Sequence, residues 1–357
     1  MAQKDAARVA VVGFGLAGSA FHAPLIAATR GLRLGAIVTR DAERGAKARA
    51  THPDAELLPD VDAVLARAGD FDLLVVATPN RTHVPFATAG LRAGLHVVVD
   101  KPFAATAAEG RALVEEARRA GRLLSVYQNR RWDGDFLTVR DLLARGALGT
   151  PYRFESRFER WRPAPPAGWK NAGAPEDATG LVYDLGSHLI DQALQLFGPV
   201  TTVYAEEDER RPGTAVVDDA FLALTHASGV RSHLQVSAIV AEPAARFRVL
   251  GADATYVKFG LDVQEAALRA GARPGDAGFG EEPREQWGRL ARGGEVSAVE
   301  TKRGAYVRFY EGMAAAMREG APVPVDPRDA VAGLEIIEAA NRSARERRVA
   351  TPGEVGR

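Results

Sequence analysis

The chain has no cysteine, which removes disulfides, thiolate metal centres and cysteine nucleophiles from consideration and fits a reducing, cytoplasmic setting. Net charge is missing as well. The 46 basic residues balance 46 acidic ones, so no overall field draws the chain to nucleic acid or to an anionic membrane, and neither is expected as a partner. No run is apolar enough to span a bilayer. The uncharged stretch from Val9 to Thr29 follows Lys4 and Arg8, the layout of a secretory signal. Gly13, Gly15, Gly18, His22 and Pro24 interrupt it, and its cleavage would discard the best motif in the sequence.

At 357 residues the chain suits two domains, placed at 1–128 and 129–357. In the first, short β-branched runs at 8–12, 34–38, 73–77 and 96–99, with another candidate at 123–126, alternate with helical patterns near 18–29, 41–50, 82–93 and 106–120. Such runs separated by helices predict a parallel sheet buried on both faces, a doubly wound α/β Rossmann domain. The rhythm then changes. Polar and apolar residues alternate over 152–160 and in parts of 218–226 and 231–240, and helices are expected at 304–319 and 327–346. That pattern predicts an α+β domain with a large open, mainly antiparallel sheet whose free face serves a homodimer or homotetramer. Two Gly/Pro-rich stretches, 162–177 and 271–295, read either as lids or interface arms or as surface slack. The basic cluster at 345–348 reads as a solvated helix end.

Residues 13–18, Gly13-Phe14-Gly15-Leu16-Ala17-Gly18, form a full G-x-G-x-x-G after a strand and before a helix. Gly13 permits the tight turn, Gly15 lets the backbone approach a pyrophosphate, and Gly18 lets the helix pack close. About 20 residues on, a site that prefers NAD usually carries a carboxylate; here the second strand ends in Thr39 and Arg40, which favours the 2′-phosphate of NADP, with NAD as the lesser choice. Asp41 is assigned as the N-cap of the next helix. Thr78 and Asn80, with His83 just beyond, follow the strand at 73–77, where either cofactor contact or plain turn chemistry accounts for them. Lys101 stands at the carboxyl end of the next strand, either aimed into the crevice or simply on the surface.

In the second domain, residues 182–192 place Asp184, His188 and Asp191 at spacings of four and three, on one face if the segment is helical. That face should do something other than packing; a divalent-metal site and a core histidine with structural carboxylates are rival readings. Three donors on one helix rarely complete a metal sphere, and no second histidine cluster accompanies them, so no metal is expected.

Taken in order, Gly13 to Gly18, Thr78-Pro79-Asn80, Asp100-Lys101-Pro102 and Tyr183-Asp184-Leu185-Gly186-Ser187-His188-Leu189-Ile190-Asp191 resemble the Gfo/Idh/MocA family of oxidoreductases. The resemblance spans nearly the whole chain and, with Phe21-His22-Ala23-Pro24 and Asn129-Arg130-Arg131-Trp132-Asp133, is similar above all to its NADP-dependent scyllo-inositol dehydrogenase branch. It implies a catalytic group of Lys101, Asp184 and His188, with Asp100 where the usual Glu-Lys-Pro pattern has glutamate. His188 would serve as proton acceptor and donor, Lys101 would stabilise the developing alkoxide, and Asp184 would orient the ring or hold a substrate hydroxyl. Asn129 and Arg130 would lie beside nicotinamide or substrate. Trp132, Trp161 and Trp169 offer flat walls for a sugar ring or ordinary core packing; Trp161 is taken as a substrate contact. The implied substrate is a cyclitol, polyol or sugar with a secondary hydroxyl. Relatives that hydrolyse glycosides without net redox change, or that only bind the nucleotide as regulators, stand as the alternatives.

Overall fold

A computed structural model describes residues 6–165, 168–171 and 173–354; Lys4 and part of the 162–177 stretch lie outside the described residues. The chain divides into two compact units, one comprising the residues up to Asn129 with 264–279 and 305–331, the other comprising 130–263, 280–304 and the residues from Ala332 onward.

In the first unit, six of the described strands form a parallel sheet: β1 (Ala7–Val12), β2 (Leu32–Val38), β3 (Glu56–Leu58), β4 (Leu73–Val76), β5 (His96–Val99) and β6 (Leu124–Val126), in the order β3-β2-β1-β4-β5-β6. Their side chains are buried on both faces, with Val9, Val11, Leu73, Val75, Val97 and Val99 fully inaccessible, as continuous β-branched runs require. Helices α1 (Ala23–Ala28), α2 (Ala42–Thr51), α3 (Val61–Leu65), α4 (His83–Arg92) and α5 (Ala107–Ala120) connect them. Asp41 caps α2 by accepting from the Arg44 N–H, as expected, and Thr106 with Glu109 forms a capping box on α5. The strand order reverses between β1 and β4, and ligands in such sheets bind beyond the carboxyl ends of the strands at that reversal.

The helix expected over 18–29 is two pieces. A π-helical turn, Ala17–His22, leads into the short α1. Such turns widen a helix by one residue and recur at functional sites. The three-residue β3 was not foreseen.

The second unit contains α6 (Gly134–Ala144) and an eight-stranded sheet of β7 (Pro151–Glu159), β8 (Val200–Asp208), β9 (Asp219–His226), β10 (Arg231–Ser237), β11 (Phe247–Gly251), β12 (Thr255–Lys258), β13 (Gly288–Arg292) and β14 (Glu295–Val299), in the order β14-β13-β12-β11-β7-β10-β9-β8. All neighbours run antiparallel except β7 and β10. Residues on β9 and β10 alternate between buried and part-exposed, the mark of a sheet covered on one face. Helix α7 (Ser187–Phe197) packs on that face, with the Phe197 ring 5.4 Å from Phe154 of β7. Further along the chain come α8 (Gln264–Arg269), α9 (Val307–Glu319) and α10 (Pro327–Glu346).

The stretch 271–295 is not loop throughout. Its last third is β13 and the start of a hairpin that turns at Gly293 and Gly294, both at positive φ, the conformation a two-residue hairpin turn demands. Among the described residues, no helix is long and apolar enough to cross a membrane.

Candidate active site

The glycines of residues 13–18 do three separate jobs. Gly13 has φ +99°, and a Cβ there would meet the Ala77 carbonyl oxygen at 2.4 Å, so the ends of β1 and β4 can approach only through glycine. A Cβ on Gly18 would stand 2.0 Å from the Gly13 carbonyl oxygen, which ties the π-helical turn against the loop. Around Gly15, by contrast, a Cβ would meet nothing within 4 Å. That open backbone is where a pyrophosphate needs room, so the loop fits a dinucleotide. The Phe14 side chain is buried, with its ring edge-on to His52 at 6.2 Å, whereas Leu16 is half exposed at the loop tip.

Beside this loop lies a cavity of about 490 Å³, lined by Gly13, Phe14, Thr39, Arg40, Thr78 and a group of charged residues. Arg40 is largely exposed and its Nη2 lies 3.2 Å from Asp60 Oδ2. Asp60 also accepts the Ala63 N–H at 3.0 Å and so caps α3; that bond, together with Arg40, holds its carboxyl below the usual range. Arg44 and Asp62 line the same space. Reading only the end of β2 suggested a site without a carboxylate. The loop after β3 supplies one, and it was missed because a strand of three residues carries no periodic signal.

Thr78 and Asn80 follow β4. The Thr82 hydroxyl lies 2.6 Å from both the Thr78 hydroxyl and the Pro79 carbonyl, so the turn chemistry expected of this segment is present. His83 is buried, with Nδ1 at 2.8 Å from the Pro102 carbonyl oxygen and Nε2 at 2.9 Å from that of Thr78. Burial lowers its pKa, with Asp100 pulling the other way. Both ring nitrogens therefore face backbone, and His83 bridges the loops after β4 and β5. Lys101 is half-buried on the loop after β5, and its N–H donates to Asp100 Oδ1 at 2.8 Å. The peptide bond from Lys101 to Pro102 is cis. Asn129 is the last residue of this unit before the chain enters the second, and it is buried.

In the second unit, residues 182–192 are helical but not uniformly α. Val182–Gly186 is a second π-helical turn, and α7 starts at Ser187. Asp184 is exposed on that turn, whereas His188 and Asp191 are buried on α7. The His188 ring lies 6.4 Å from Phe158 of β7. Asp191 accepts two hydrogen bonds from Arg131, at 2.9 Å and 2.6 Å, which makes it an anchor for the turn that carries Arg131. Gln192 fastens the same segment, donating to the Arg130 carbonyl at 2.9 Å while accepting from Arg246 at 2.8 Å. The guanidinium groups of Arg130 and Arg246 lie 4.8 Å and 4.3 Å from the centre of the Phe158 ring. Gln192 and Arg246 were not foreseen; the i, i+4 step from His188 was the available signal. Trp161 is 59% exposed at the end of β7, bridged to Ile239, while Trp132 and Trp169 are half-buried. No cluster of three or more potential metal ligands occurs among the described residues.

These features define a two-unit protein with a Rossmann domain whose glycine loop fits a dinucleotide, and comparison with known proteins makes it an oxidoreductase and gives the family. Residues 7–128 match the oxidoreductase family NAD-binding Rossmann fold, and residues 140–351 match the C-terminal alpha/beta domain of the same family. The chain belongs to the Gfo/Idh/MocA oxidoreductase family. It is 36% identical over 348 residues to the scyllo-inositol 2-dehydrogenase (NADP(+)) IolW of Bacillus subtilis, covering 96% of this chain and 95% of that protein. It is 30% identical to a D-apiose dehydrogenase of Paraburkholderia graminis, over 89% of this chain and 82% of the relative. Among solved structures, the oxidoreductase yvaA of Bacillus subtilis superposes with a TM-score of 0.92 at 35% identity, covering 98% of this chain and 99% of the other. An oxidoreductase from Yersinia pestis gives 0.90 at 39% identity, with 99% of each chain covered.

Proposed function

We propose that this oxidoreductase is an NADP(H)-dependent dehydrogenase acting on a secondary alcohol of a cyclitol or sugar. The observation that carries this reading is Lys101, presented at the carboxyl end of β5 beside the reversal in strand order, on a loop that His83 ties to the loop after β4. The names of IolW and of the D-apiose dehydrogenase support the substrate class.

Bound nicotinamide supplies the site that accepts or returns a hydride. The protein's share is to hold the alcohol and manage its proton. Lys101 donates a hydrogen bond to the substrate oxygen and stabilises the charge that develops on it. His188 takes the hydroxyl proton and gives it back in the reverse direction, and exposed Asp184 holds a neighbouring hydroxyl. Asn129 and Arg130 bind substrate polar groups, and Trp161 offers a flat wall to the ring. Gly13, Phe14, Gly15, Leu16 and Gly18 cradle the dinucleotide, with Thr78 and Asn80 on its ribose side and His83 supporting them. Thr39 and Arg40 receive the 2′-phosphate, with Asp60 at Arg40 Nη2 competing for the same guanidinium. The free face of the eight-stranded sheet, with Tyr204 exposed on it, is assigned to self-association.

The test follows nicotinamide absorbance while the purified protein meets NADP or NAD and a panel of inositols and aldoses. NADP reduction with at least one polyol is the expected result. Silence with every polyol, joined to sugar release from an aryl glycoside, would replace this reading with hydrolysis. Arg40→Asp is expected to move preference toward NAD by about tenfold or more, the scale of one charge-assisted contact; unchanged relative efficiencies would mean the phosphate is held elsewhere.

A further inference from the structure

Two features still lack a role: the segment Phe21-His22-Ala23-Pro24, and an aspartate at position 100 where the family pattern has glutamate. They meet inside the first unit. His22 is fully buried, with Nδ1 at 2.6 Å from the Tyr310 hydroxyl of α9 and its ring 4.4 Å from that of Tyr127. Its Nε2 faces Asp100 Oδ2 at 3.8 Å, a charge contact longer than a direct hydrogen bond. The other oxygen of Asp100 accepts the Lys101 N–H.

The surroundings bias the two ends of this arrangement. Burial, aided by Tyr127 and Asp100, pushes the Tyr310 hydroxyl well above the ordinary tyrosine value, so it keeps its proton. Where that hydroxyl donates to Nδ1, the proton of a neutral imidazole lies on Nε2, the nitrogen that looks at Asp100. Burial raises the Asp100 carboxyl, but His22, Lys101 and His83 together outweigh it and hold the group below the usual carboxylate range. Tyr310, His22 and Asp100 thus line up through one hydrogen bond and one charge contact, ending in a carboxylate next to Lys101. An aspartate side chain is short enough to bond the amide that follows it, a local bond in which glutamate's extra methylene is a handicap.

We propose that Tyr310, His22 and Asp100 are positioning residues that fix the backbone at Lys101 and hold a negative charge beside it, an inference that rests on Lys101 serving the substrate oxygen. His83 grips the other side of the loop through the Pro102 carbonyl. Buried polar groups cost more to bury than a leucine or phenylalanine in the same space, and here they terminate beside Lys101.

Two readouts test the chain. One is the rate at which trinitrobenzenesulfonate labels Lys101 in the cofactor-free protein, read by peptide mass spectrometry. The other is the split between kcat and KM in NADP-linked polyol oxidation. Asp100→Asn is expected to speed labelling about threefold or more and to lower kcat about tenfold or more, with KM for NADP within about twofold. Tyr310→Phe, which removes a single oxygen atom, should move both in the same direction by about threefold. Asp100→Glu keeps the charge and should retain about a third of kcat or more. Labelling and kcat at wild-type values in Tyr310→Phe and Asp100→Asn would overturn the proposal, as would an Asp100→Glu variant as impaired as Asp100→Asn. Lys101→Ala separates the two ideas: normal turnover in that variant removes the role of Lys101 in catalysis, and the labelling rates alone then decide the chain.

Discussion

The candidate residues of the first unit sit on loops at the carboxyl ends of parallel strands, while those of the second sit on a single helix, and the two are held by different physics. In the first, backbone geometry does the holding: Gly13 at positive φ, Gly18 pressed on the Gly13 carbonyl, and His83 between two carbonyls. In the second, buried side-chain pairs do it, with Arg131 on Asp191 and Gln192 between Arg130 and Arg246. Backbone constraints leave a local mark in the sequence. Side-chain pairs made across many residues do not.

The sharpest way to break that contrast is Asp191→Ala. It strands the Arg131 guanidinium in the interior and should cost about 3–5 kcal/mol of stability in urea titration. A loss below about 1 kcal/mol would show that the pair is not what anchors the turn that carries Arg131. Next in size are the glycines. Gly18→Ala drives a methyl group into backbone and should lower stability by about 1–3 kcal/mol. Gly15→Ala meets open space, so the protein should fold as before and lose only dinucleotide affinity, read by calorimetric titration. Equal unfolding midpoints for the two variants would contradict the separate jobs assigned to them.

Smaller is an effect of pH in the second unit. Burial pushes the Glu207 carboxyl of β8 up to about 7 from its ordinary 4.5, against a weaker opposing pull from Arg345. The amide of Asn341 on α10, oriented to donate, reaches both carboxyl oxygens, at 2.9 Å and 3.3 Å. Because folding raises this pKa, the favourable contribution is complete below about pH 4.5 and disappears as pH climbs through about 7. Wild type should therefore lose about 1–2 kcal/mol more stability than Glu207→Gln between those limits, measured as the shift in urea midpoint. Parallel pH profiles would remove Glu207 as the cause. The smallest expected change is Asp60→Asn, which frees Arg40 from its partner and should tighten NADP relative to NAD by about twofold to fivefold in equilibrium titration. Unchanged NADP affinity with weaker NAD would make Asp60 a holder of the ribose hydroxyls rather than a rival of the phosphate.

What the sequence disclosed follows the same division. The tight glycine turn at Gly13, the Rossmann strands and the cap at Asp41 were legible because each depends on residues within one turn or one strand. The open sheet was legible in β7, β9 and β10, where polar and apolar residues alternate. It was not legible in β13 and β14, which are mostly exposed and have no covered face to enforce a pattern; Gly293 and Gly294 were the overlooked signal. Asp60 escaped notice because a strand of three residues precedes it. Partners such as Arg131 and Asp191, or His22 and Tyr310, are separated by 60 and 288 residues, and spacing says nothing about them. The two π-helical turns, each leading directly into a helix of the candidate site, also lay beyond a reading that assumes 3.6 residues per turn.

The central claim is proton management by His188 and Lys101 on a polyol oxidised with NADP, and one experiment addresses it most directly: turnover of His188→Ala and Lys101→Ala beside wild type on the best polyol, with NADP affinity measured separately by fluorescence titration. The account predicts kcat lower by about a hundredfold or more in each variant, with NADP affinity within about threefold of wild type. Full turnover in the His188→Ala variant would contradict it.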